Sequence, residues 1–351
     1  MTQTGFMIGG HEIGQDEPPL FLPDIGTFFN DDIGVAIELI DALADAGVSV
    51  LKGEVLHDAS ICLDDDTSIS YVDREGAVRS ERYRDLIDRK VVSLKAYEGI
   101  FRHARDRGMD VMVSVYDRKG LDFSVDIGVA AVKIATSNIV HRPLIEFMAQ
   151  TGLPILLDTG DSSLEEIDRA VSWARDAGAG RMIVEHSPYP PPAPVARHDL
   201  RFMVTLGACL GLPFGLSDHH AGEEMLYAAT ALGACLLEKG VCPDGLRLEQ
   251  DVAHALPVSD VRRVMQSCLT IHQALGQTVR PLARGRPKKL SRMGLVAAHD
   301  LSPGDHISLE TVSFAFPVRG IAVEHWGCVE GKPVTSRIGA GVPIDWSDVA
   351  L

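Results

Sequence analysis

Polar residues follow most of the short apolar runs of this 351-residue chain, at the positions where each run ends. Two of them are lysines, Lys52 and Lys133, and lysines on separate strand ends can converge on one anion. The other residues at run ends are Asp24, Glu54, Ser114, Thr136, Asp158, Glu185, Ser187, Ser217, His219 and Glu238. The hydroxyl groups of the serine and threonine residues in this set suit a phosphate or carboxylate ligand. A lone strand-end lysine is more often a solvated surface group, so the convergence of the whole set indicates an anion-binding site.

The elements that must position these residues are eight apolar runs that alternate with helical segments. The first predicted strand is Leu20–Gly26, the third is Asp110–Val115, and the last ends before Glu238. Such alternation requires parallel strands with right-handed crossovers. Eight strands of this kind close into a barrel whose reacting groups lie at the carboxyl ends. We therefore predict an α/β fold, a (β/α)8 TIM barrel, over residues 1–278.

The segments outside the barrel repeat carry weaker patterns. Residues 1–18 are predicted to be an irregular lead-in, and residues 57–84 a lid or a partly disordered excursion. Residues 279–291 are basic, rich in proline and glycine, and lack interleaved aromatic residues, so they predict a linker. Residues 292–351 contain β-like runs at 294–298, 312–316 and 332–337, which predict a small, mostly β domain.

Composition excludes several classes of function. The net charge of −16 argues against binding to nucleic acid or to an anionic membrane, because both would repel the protein. No apolar run is long enough to predict a signal peptide or a transmembrane helix. The six cysteines are scattered, which favours reduced thiols. These features predict a cytoplasmic protein.

Several motifs resemble the N-acetylneuraminate (sialic acid) synthase family, in the family's order along almost the whole chain. The clearest are Val132–Ser137, Asp158–Ser162, Gly215–His219 and Ala231–Lys239, and the tail from Gly294 resembles the family's C-terminal antifreeze-protein-like (SAF) domain. The resemblance implies condensation of phosphoenolpyruvate (PEP) with an amino-sugar aldehyde such as N-acetylmannosamine, which yields a nonulosonic acid and phosphate. It also implies a domain-swapped homodimer in which the SAF domain covers the partner's barrel.

The resemblance also assigns roles to residues. PEP would be held by Lys52, Ser114, Lys133, Thr136 and Ser217. Asp24 and Asp251 would be the catalytic carboxylates, and Asp251 would also contact the sugar. Further substrate-binding residues would be Glu54, Asp158, Ser187, Tyr189 and Arg319. His219 would bind a divalent metal, Mn2+ or Mg2+, which would polarise the aldehyde.

The chain departs from the family pattern at several of these positions. Gly240 stands where the family has its second metal histidine, and Asp158 stands where the family has a serine. Asp24 replaces a glutamate, Glu54 replaces a glutamine, and Arg319 lies near Phe316, which replaces an arginine. Two alternatives therefore stay open beside the synthase. One is a different aldol or enolpyruvyl reaction with altered metal use, and the other is a non-catalytic paralogue that binds sugar or PEP.

Overall fold

The computed structural model describes residues 5–14, 16–26, 28–276 and 292–350. These residues form two compact units, one ending at Gly276 and one made of the described residues from position 292 onward. The predicted linker, 279–291, lies outside the described residues. The linker and the domain boundaries around it therefore stay predictions.

Fifteen strands and ten α-helices are present in the described residues. The strands are β1 Phe6–Ile8, β2 His11–Ile13, β3 Leu20–Gly26, β4 Val50–Val55, β5 Ser68–Val72, β6 Val78–Arg82, β7 Asp110–Val115, β8 Ala131–Ile134, β9 Ile155–Asp158, β10 Met182–His186, β11 Phe214–Asp218, β12 Leu236–Cys242, β13 Leu256–Pro257, β14 Gly294–Ala297 and β15 Val312–Ala315. The α-helices are α1 Ile33–Ala46, α2 Tyr83–Asp88, α3 Leu94–Asp106, α4 Arg118–Asp126, α5 Arg142–Gln150, α6 Leu164–Asp176, α7 Leu200–Leu210, α8 Glu224–Ala231, α9 Val261–Leu275 and α10 Trp326–Val329. None of the helices in these ranges is long and apolar enough to cross a membrane.

Within the first described unit, eight parallel strands close into a barrel. The strands β3, β4 and β7 to β12 pair with one another in chain order, and β12 pairs with β3 to complete the circle. At least one α-helix separates consecutive barrel strands in the chain, and apolar residues of helices and strands form the largest core. The predicted TIM barrel is confirmed, and β3 and β7 have the predicted bounds.

Local capping explains where two of the barrel helices begin and end. The Asp32 side chain accepts hydrogen bonds from the backbone N–H groups of Gly34 at 3.0 Å and Val35 at 3.3 Å, which starts α1. That helix ends at Gly47, whose φ of 92° is unfavourable for other residues. A capping box around Ser163 starts α6. Caps of this kind set where a helix begins or ends, and so where the chain enters the next parallel strand.

The hairpin of β1 and β2 packs on the barrel interior at the amino-terminal end of the strands. Its residues Ile8 and Ile13 are fully buried against an apolar layer that includes Leu22 of β3. The prediction of an irregular lead-in over residues 1–18 is therefore wrong for the part that the structure describes. Apolar burial, which two three-residue strands can supply, holds this segment in place.

The excursion after β4 contains a second ordered hairpin, formed by β5 and β6. Arg74 in its turn donates hydrogen bonds to the Ala255 carbonyl oxygen and to the Cys242 sulfur, each at 3.0 Å. Both acceptors lie in or beyond β12. The predicted partial disorder is therefore wrong for this part of the excursion, which is a hairpin attached to the end of β12 and to the segment that follows it.

The second unit is small and mostly irregular in its described part. The strands β14 and β15 pair antiparallel, as two of the predicted β-like runs require. The third predicted run, 332–337, is not a strand: it makes only isolated bridges, Pro333 with His306 and Val334 with Val349. The core of the second unit contains Leu295, Ile321 and further aliphatic side chains.

Candidate active site

The polar residues at the carboxyl ends of the strands form one layer inside the barrel. Side chains alternate along a strand, so residues two positions apart share a face. An apolar layer of the barrel interior contains Leu22, Val50, Met112, Ala131, Leu156, Ile183 and Leu236. Two positions after these residues, in the same order, come Asp24, Lys52, Ser114, Lys133, Asp158, Glu185 and Glu238. The barrel strands therefore place a polar floor directly above an apolar core.

Lys52 and its two carboxylate neighbours form one side of this floor. Lys52 Nζ donates a hydrogen bond to Asp24 Oδ2 at 2.5 Å and lies 3.7 Å from Glu54 Oε1. The Tyr116 hydroxyl donates to the other Glu54 oxygen at 2.7 Å. Burial raises the pKa of Asp24 to about 6, although Lys52 opposes the change. Asp24 can therefore gain or lose a proton near neutral pH, which suits a general acid or base.

Lys133 is surrounded by carboxylates on the other side. Its Nζ lies 2.5 Å from Glu238 Oε1, 2.9 Å from Asp158 Oδ2 and 3.1 Å from Glu185 Oε2, the last without hydrogen-bonding geometry. Thr136 Oγ1 donates to the second Asp158 oxygen at 2.5 Å. Burial alone would lower the pKa of Lys133, but the carboxylates hold this pKa well above its ordinary value. Lys133 therefore carries a positive charge at neutral pH.

Glu238 joins the two lysine groups. Its Oε1 lies 2.5 Å from Lys133 Nζ and 3.6 Å from Lys52 Nζ, and it accepts a hydrogen bond from Ser217 at 3.3 Å. Burial alone would raise the pKa of Glu238, but the two lysines hold this pKa below its usual range. Sequence analysis placed Glu238 at a strand end without a substrate role. The register that pairs it with Ser217 reveals its central position.

The neighbouring Lys239 faces away from this floor. Its Nζ donates to Asp218 Oδ2 at 2.7 Å and to the carbonyl oxygens of His220 at 2.6 Å and Gly222 at 3.0 Å. Because Glu238 and Lys239 are consecutive in β12, their side chains point to opposite faces of the strand. Lys239 therefore fixes the loop after β11 and lies outside the polar floor.

Glu185 is a second floor residue that the sequence places at a strand end without assigning it a substrate role. Its side chain is fully buried, and neither carboxyl oxygen has a hydrogen-bond partner. Burial raises the pKa of Glu185 to about 8, with Lys133 acting in the opposite direction. The carboxyl is therefore mostly protonated at neutral pH. In the sequence, only the position of Glu185 at the end of an apolar strand points to the site. The raised pKa depends on how deeply the carboxyl is buried, which the structure shows.

The predicted sugar-side residues lie around His219. Ser187 Oγ lies 3.2 Å from His219 Nδ1, within hydrogen-bonding distance, and the His219 ring meets the buried His254 ring edge to face with 4.9 Å between centroids. Asp251 has a left-handed backbone with φ of 67°, and its Oδ1 lies 3.9 Å from His254 Nε2. Tyr189 is 48 % exposed. The outer face of the site is thus more open than the floor.

The structure brings most, but not all, of the predicted site residues together. The connected set comprises Asp24, Lys52, Glu54, Lys133, Thr136, Asp158 and Ser217. Ser114 is buried on β7 and pairs in register with Glu54 and Lys133. Ser187, Tyr189, His219 and Asp251 form no hydrogen bond or ion pair with that set. Arg319 belongs to the second unit, so its role stays a prediction.

The donor set around His219 does not fit a divalent ion held by several side chains. Gly240 supplies no ligand, and a Cβ built on it would lie 3.3 Å from the Phe28 ring and 3.7 Å from Ala255 Cβ. The place of a side chain at position 240 is therefore already packed. Over the described ranges, no group of three or more histidine, cysteine, aspartate or glutamate residues is arranged to hold a metal. The metal at His219 stays a prediction.

A closed parallel barrel with buried lysines and carboxylates at its carboxyl face, followed by a small β unit, defines a TIM-barrel protein with a C-terminal SAF domain. The sequence pattern of the NeuB family matches residues 39–280, and that of the SAF domain matches residues 292–350. The NeuB match covers more than half of the chain, so the chain belongs to the NeuB family. The resemblance inferred from the motifs is confirmed.

Relatives named as synthases match this chain along nearly their whole length. The N,N'-diacetyllegionaminic acid synthase of Campylobacter jejuni is 25% identical over 322 residues, which cover 91% of this chain and 96% of the relative. The pseudaminic acid synthase of Helicobacter pylori is 22% identical over 338 residues, covering 95% and 98%. The N-acetylneuraminic acid synthetase of Leptospira borgpetersenii has a similar fold, with a TM-score of 0.71 and 22% identity over 81% of this chain and 94% of that one.

Proposed function

We propose that this chain is a nonulosonic acid synthase, which condenses PEP with an amino-sugar aldehyde of the N-acetylmannosamine type and releases phosphate. The observation that supports this proposal most directly is the pair of buried lysines, Lys52 and Lys133. Their Nζ atoms lie 3.6 Å and 2.5 Å from Glu238 Oε1. Two ammonium groups this close, inside a barrel, can bind the carboxylate and phosphate of one small molecule. The synthase activities named for the relatives support the same reaction.

In the proposed reaction, the enol carbon of PEP bonds to the aldehyde carbon while the aldehyde oxygen takes up a proton. Water adds to the carbon that carries the phosphate ester and loses a proton. The bond between this carbon and the phosphate oxygen then breaks, the new hydroxyl group gives its proton to the departing phosphate, and the carbon becomes the keto carbon of the product. We assign a proton-transfer role to Asp24, because its pKa of about 6 allows both states near neutral pH. Lys52 holds Asp24 at 2.5 Å and so orients its carboxyl group.

The remaining assignments follow from the resemblance to the family. PEP contacts come from Lys52, Lys133, Ser114, Thr136 and Ser217, and sugar contacts from Tyr189, Asp251 and Arg319. Glu54 and Ser187 are further substrate-binding residues. A divalent metal at His219 would have few side-chain ligands in the described part of the chain, and none of the steps above depends on it. The cytoplasmic location and the domain-swapped homodimer remain predictions of the same kind.

The test is phosphate release from PEP, measured with and without N-acetylmannosamine and with and without Mn2+. We expect release only when PEP and the sugar aldehyde are both present, together with a nonulosonic acid detected by mass spectrometry. Lack of any phosphate release across a panel of N-acylated amino-sugar aldehydes would contradict the proposal.

One observation favours a second candidate, an aldol-type reaction on the same scaffold that does not consume PEP. Asp158 already pairs with Lys133 at 2.9 Å, so the anion site carries a carboxylate of its own. Turnover of a sugar aldehyde that is unchanged when PEP is omitted would support this candidate over the synthase.

A further inference from the structure

The donors assigned to one anionic group of PEP are already bound to a side chain of the protein. Asp158 Oδ2 lies 2.9 Å from Lys133 Nζ, and Asp158 Oδ1 accepts the Thr136 hydroxyl at 2.5 Å. A phosphate or carboxylate uses the same kind of donors, at the same distances, through two of its oxygens. The Asp158 carboxylate therefore lies where the substrate anion is expected to bind.

This arrangement is built into the fold. The Asp158 and Lys133 side chains are buried, with residue exposures of 4 % and 3 %. Gly160, in the loop after β9, has a φ of 42°, and a Cβ built on it would lie 1.8 Å from Thr136 Cγ2. The loop that follows Asp158 thus packs directly on Thr136, which holds the hydroxyl against the carboxylate.

The charge of Lys133 does not require Asp158. Glu238 lies 2.5 Å from the same ammonium group and Glu185 lies 3.1 Å from it. Removal of the Asp158 charge would leave Lys133 paired with Glu238, so the buried cation would keep a partner. The fold is therefore expected to tolerate a neutral residue at position 158.

We propose that Asp158 is an internal anion that occupies the Lys133–Thr136 subsite and competes with PEP for it, so that it determines affinity and specificity for the anion. This inference rests on the proposed function, since it takes PEP as the ligand of that subsite. An incoming phosphate must displace the Asp158 carboxylate, because two anions at contact distance that share one cation repel strongly at a buried position. The wild-type subsite consequently binds phosphate weakly, because each phosphate that binds must first displace the Asp158 carboxylate.

The experiment is calorimetric titration of the full-length protein with inorganic phosphate and, separately, with PEP. Asp158→Ser shortens the side chain, whereas Asp158→Asn keeps its shape and removes its charge. The matched control is Asp161→Asn, an exposed aspartate in the same loop. Circular dichroism and thermal unfolding verify that each variant is folded. If Asp158→Ser does not fold, the isosteric Asp158→Asn alone decides the result.

We expect both Asp158 variants to bind inorganic phosphate at least about tenfold more tightly than the wild type, with Asp161→Asn unchanged. A smaller gain in folded Asp158→Asn overturns the inference, whatever the catalytic result. A gain in phosphate affinity without phosphate release from PEP supports the internal anion and rejects the proposed reaction. Phosphate release from PEP by the wild type without a gain in affinity in the variants rejects the internal anion alone.

Discussion

Glu185→Gln should change how the stability of the barrel depends on pH. The glutamine keeps the size of the side chain and removes its ability to ionise. Lys133 retains Glu238 at 2.5 Å and Asp158 at 2.9 Å, so the substitution leaves the buried cation paired. Any difference in pH dependence between the two proteins then reports on the Glu185 carboxyl.

The magnitude follows from the pKa of Glu185, which burial raises from 4.5 to about 8. Because the folded protein binds this proton more tightly than the unfolded chain, the stabilising effect is complete below the unfolded pKa and disappears as pH rises through the folded pKa. Between about pH 5 and about pH 8, the wild type should lose about 3 to 4 kcal/mol of unfolding free energy relative to the variant.

Urea unfolding followed by circular dichroism, repeated at several pH values, measures this difference directly. The control is Glu165→Gln, an exposed glutamate at the start of α6, whose pH profile should be parallel to that of the wild type. Parallel profiles for wild type and Glu185→Gln would refute the reasoning, because they would show that Glu185 ionises in the folded protein as it does in the unfolded chain.

Three further predictions concern the site. Lys133→Ala should weaken PEP binding at least about tenfold by calorimetry, because it removes a buried cation from the anion site; an unchanged dissociation constant would show that the anion binds elsewhere. Gly240→His combined with Phe28→Ala should bind Mn2+ at least about tenfold more tightly than the wild type by electron paramagnetic resonance, since the double change supplies both a ligand and room for it. Arg74→Ala should lower kcat about tenfold and change the KM for PEP less than about twofold, because Arg74 fixes the segment that carries Asp251.

Matched variants make these predictions specific. Lys95→Ala removes an exposed lysine and should leave PEP binding unchanged. Gly240→His alone should not gain Mn2+ affinity, because Phe28 lies 3.3 Å from the position of the new Cβ. Arg247→Ala removes an exposed arginine that pairs with Glu75 and should leave kcat unchanged. Equal effects in a variant and its control would show that the measured change is not specific to the site.

The barrel could be predicted from sequence because its signal is local and repeated. Each strand is a short apolar run, most of the longer helices have a regular apolar face, and β3 matches its predicted bounds, Leu20–Gly26, to the residue. The hairpin of β1 and β2 was missed because two three-residue strands are too short to show alternation. The hairpin of β5 and β6 was missed because its residues are mostly exposed or half-buried, so no apolar face marks them.

The site could be predicted less completely, since its composition depends on which face each residue takes. Glu238 and Lys239 look equivalent in sequence, and only the pairing of β12 with β11 and β3 directs Glu238 inward. The pKa of Glu185 depends on depth, which no local pattern reports. The packing of Phe28 against Gly240 joins residues from opposite ends of the barrel sequence, so the sequence shows the glycine but not that the space beside it is filled.

Carboxylates outnumber lysines in the floor of the barrel: Asp24, Glu54, Asp158, Glu185 and Glu238 surround Lys52 and Lys133. A substrate anion added to this layer would meet an excess of negative charge, so it must replace a carboxylate rather than join the set. Glu238 cannot be the group replaced, because it pairs with both lysines. Asp158 can be, because the two donors that it uses are those assigned to the substrate. An aspartate at this position therefore makes the binding of an anion depend on displacement of the Asp158 carboxylate, while Lys52 and Lys133 remain in the site.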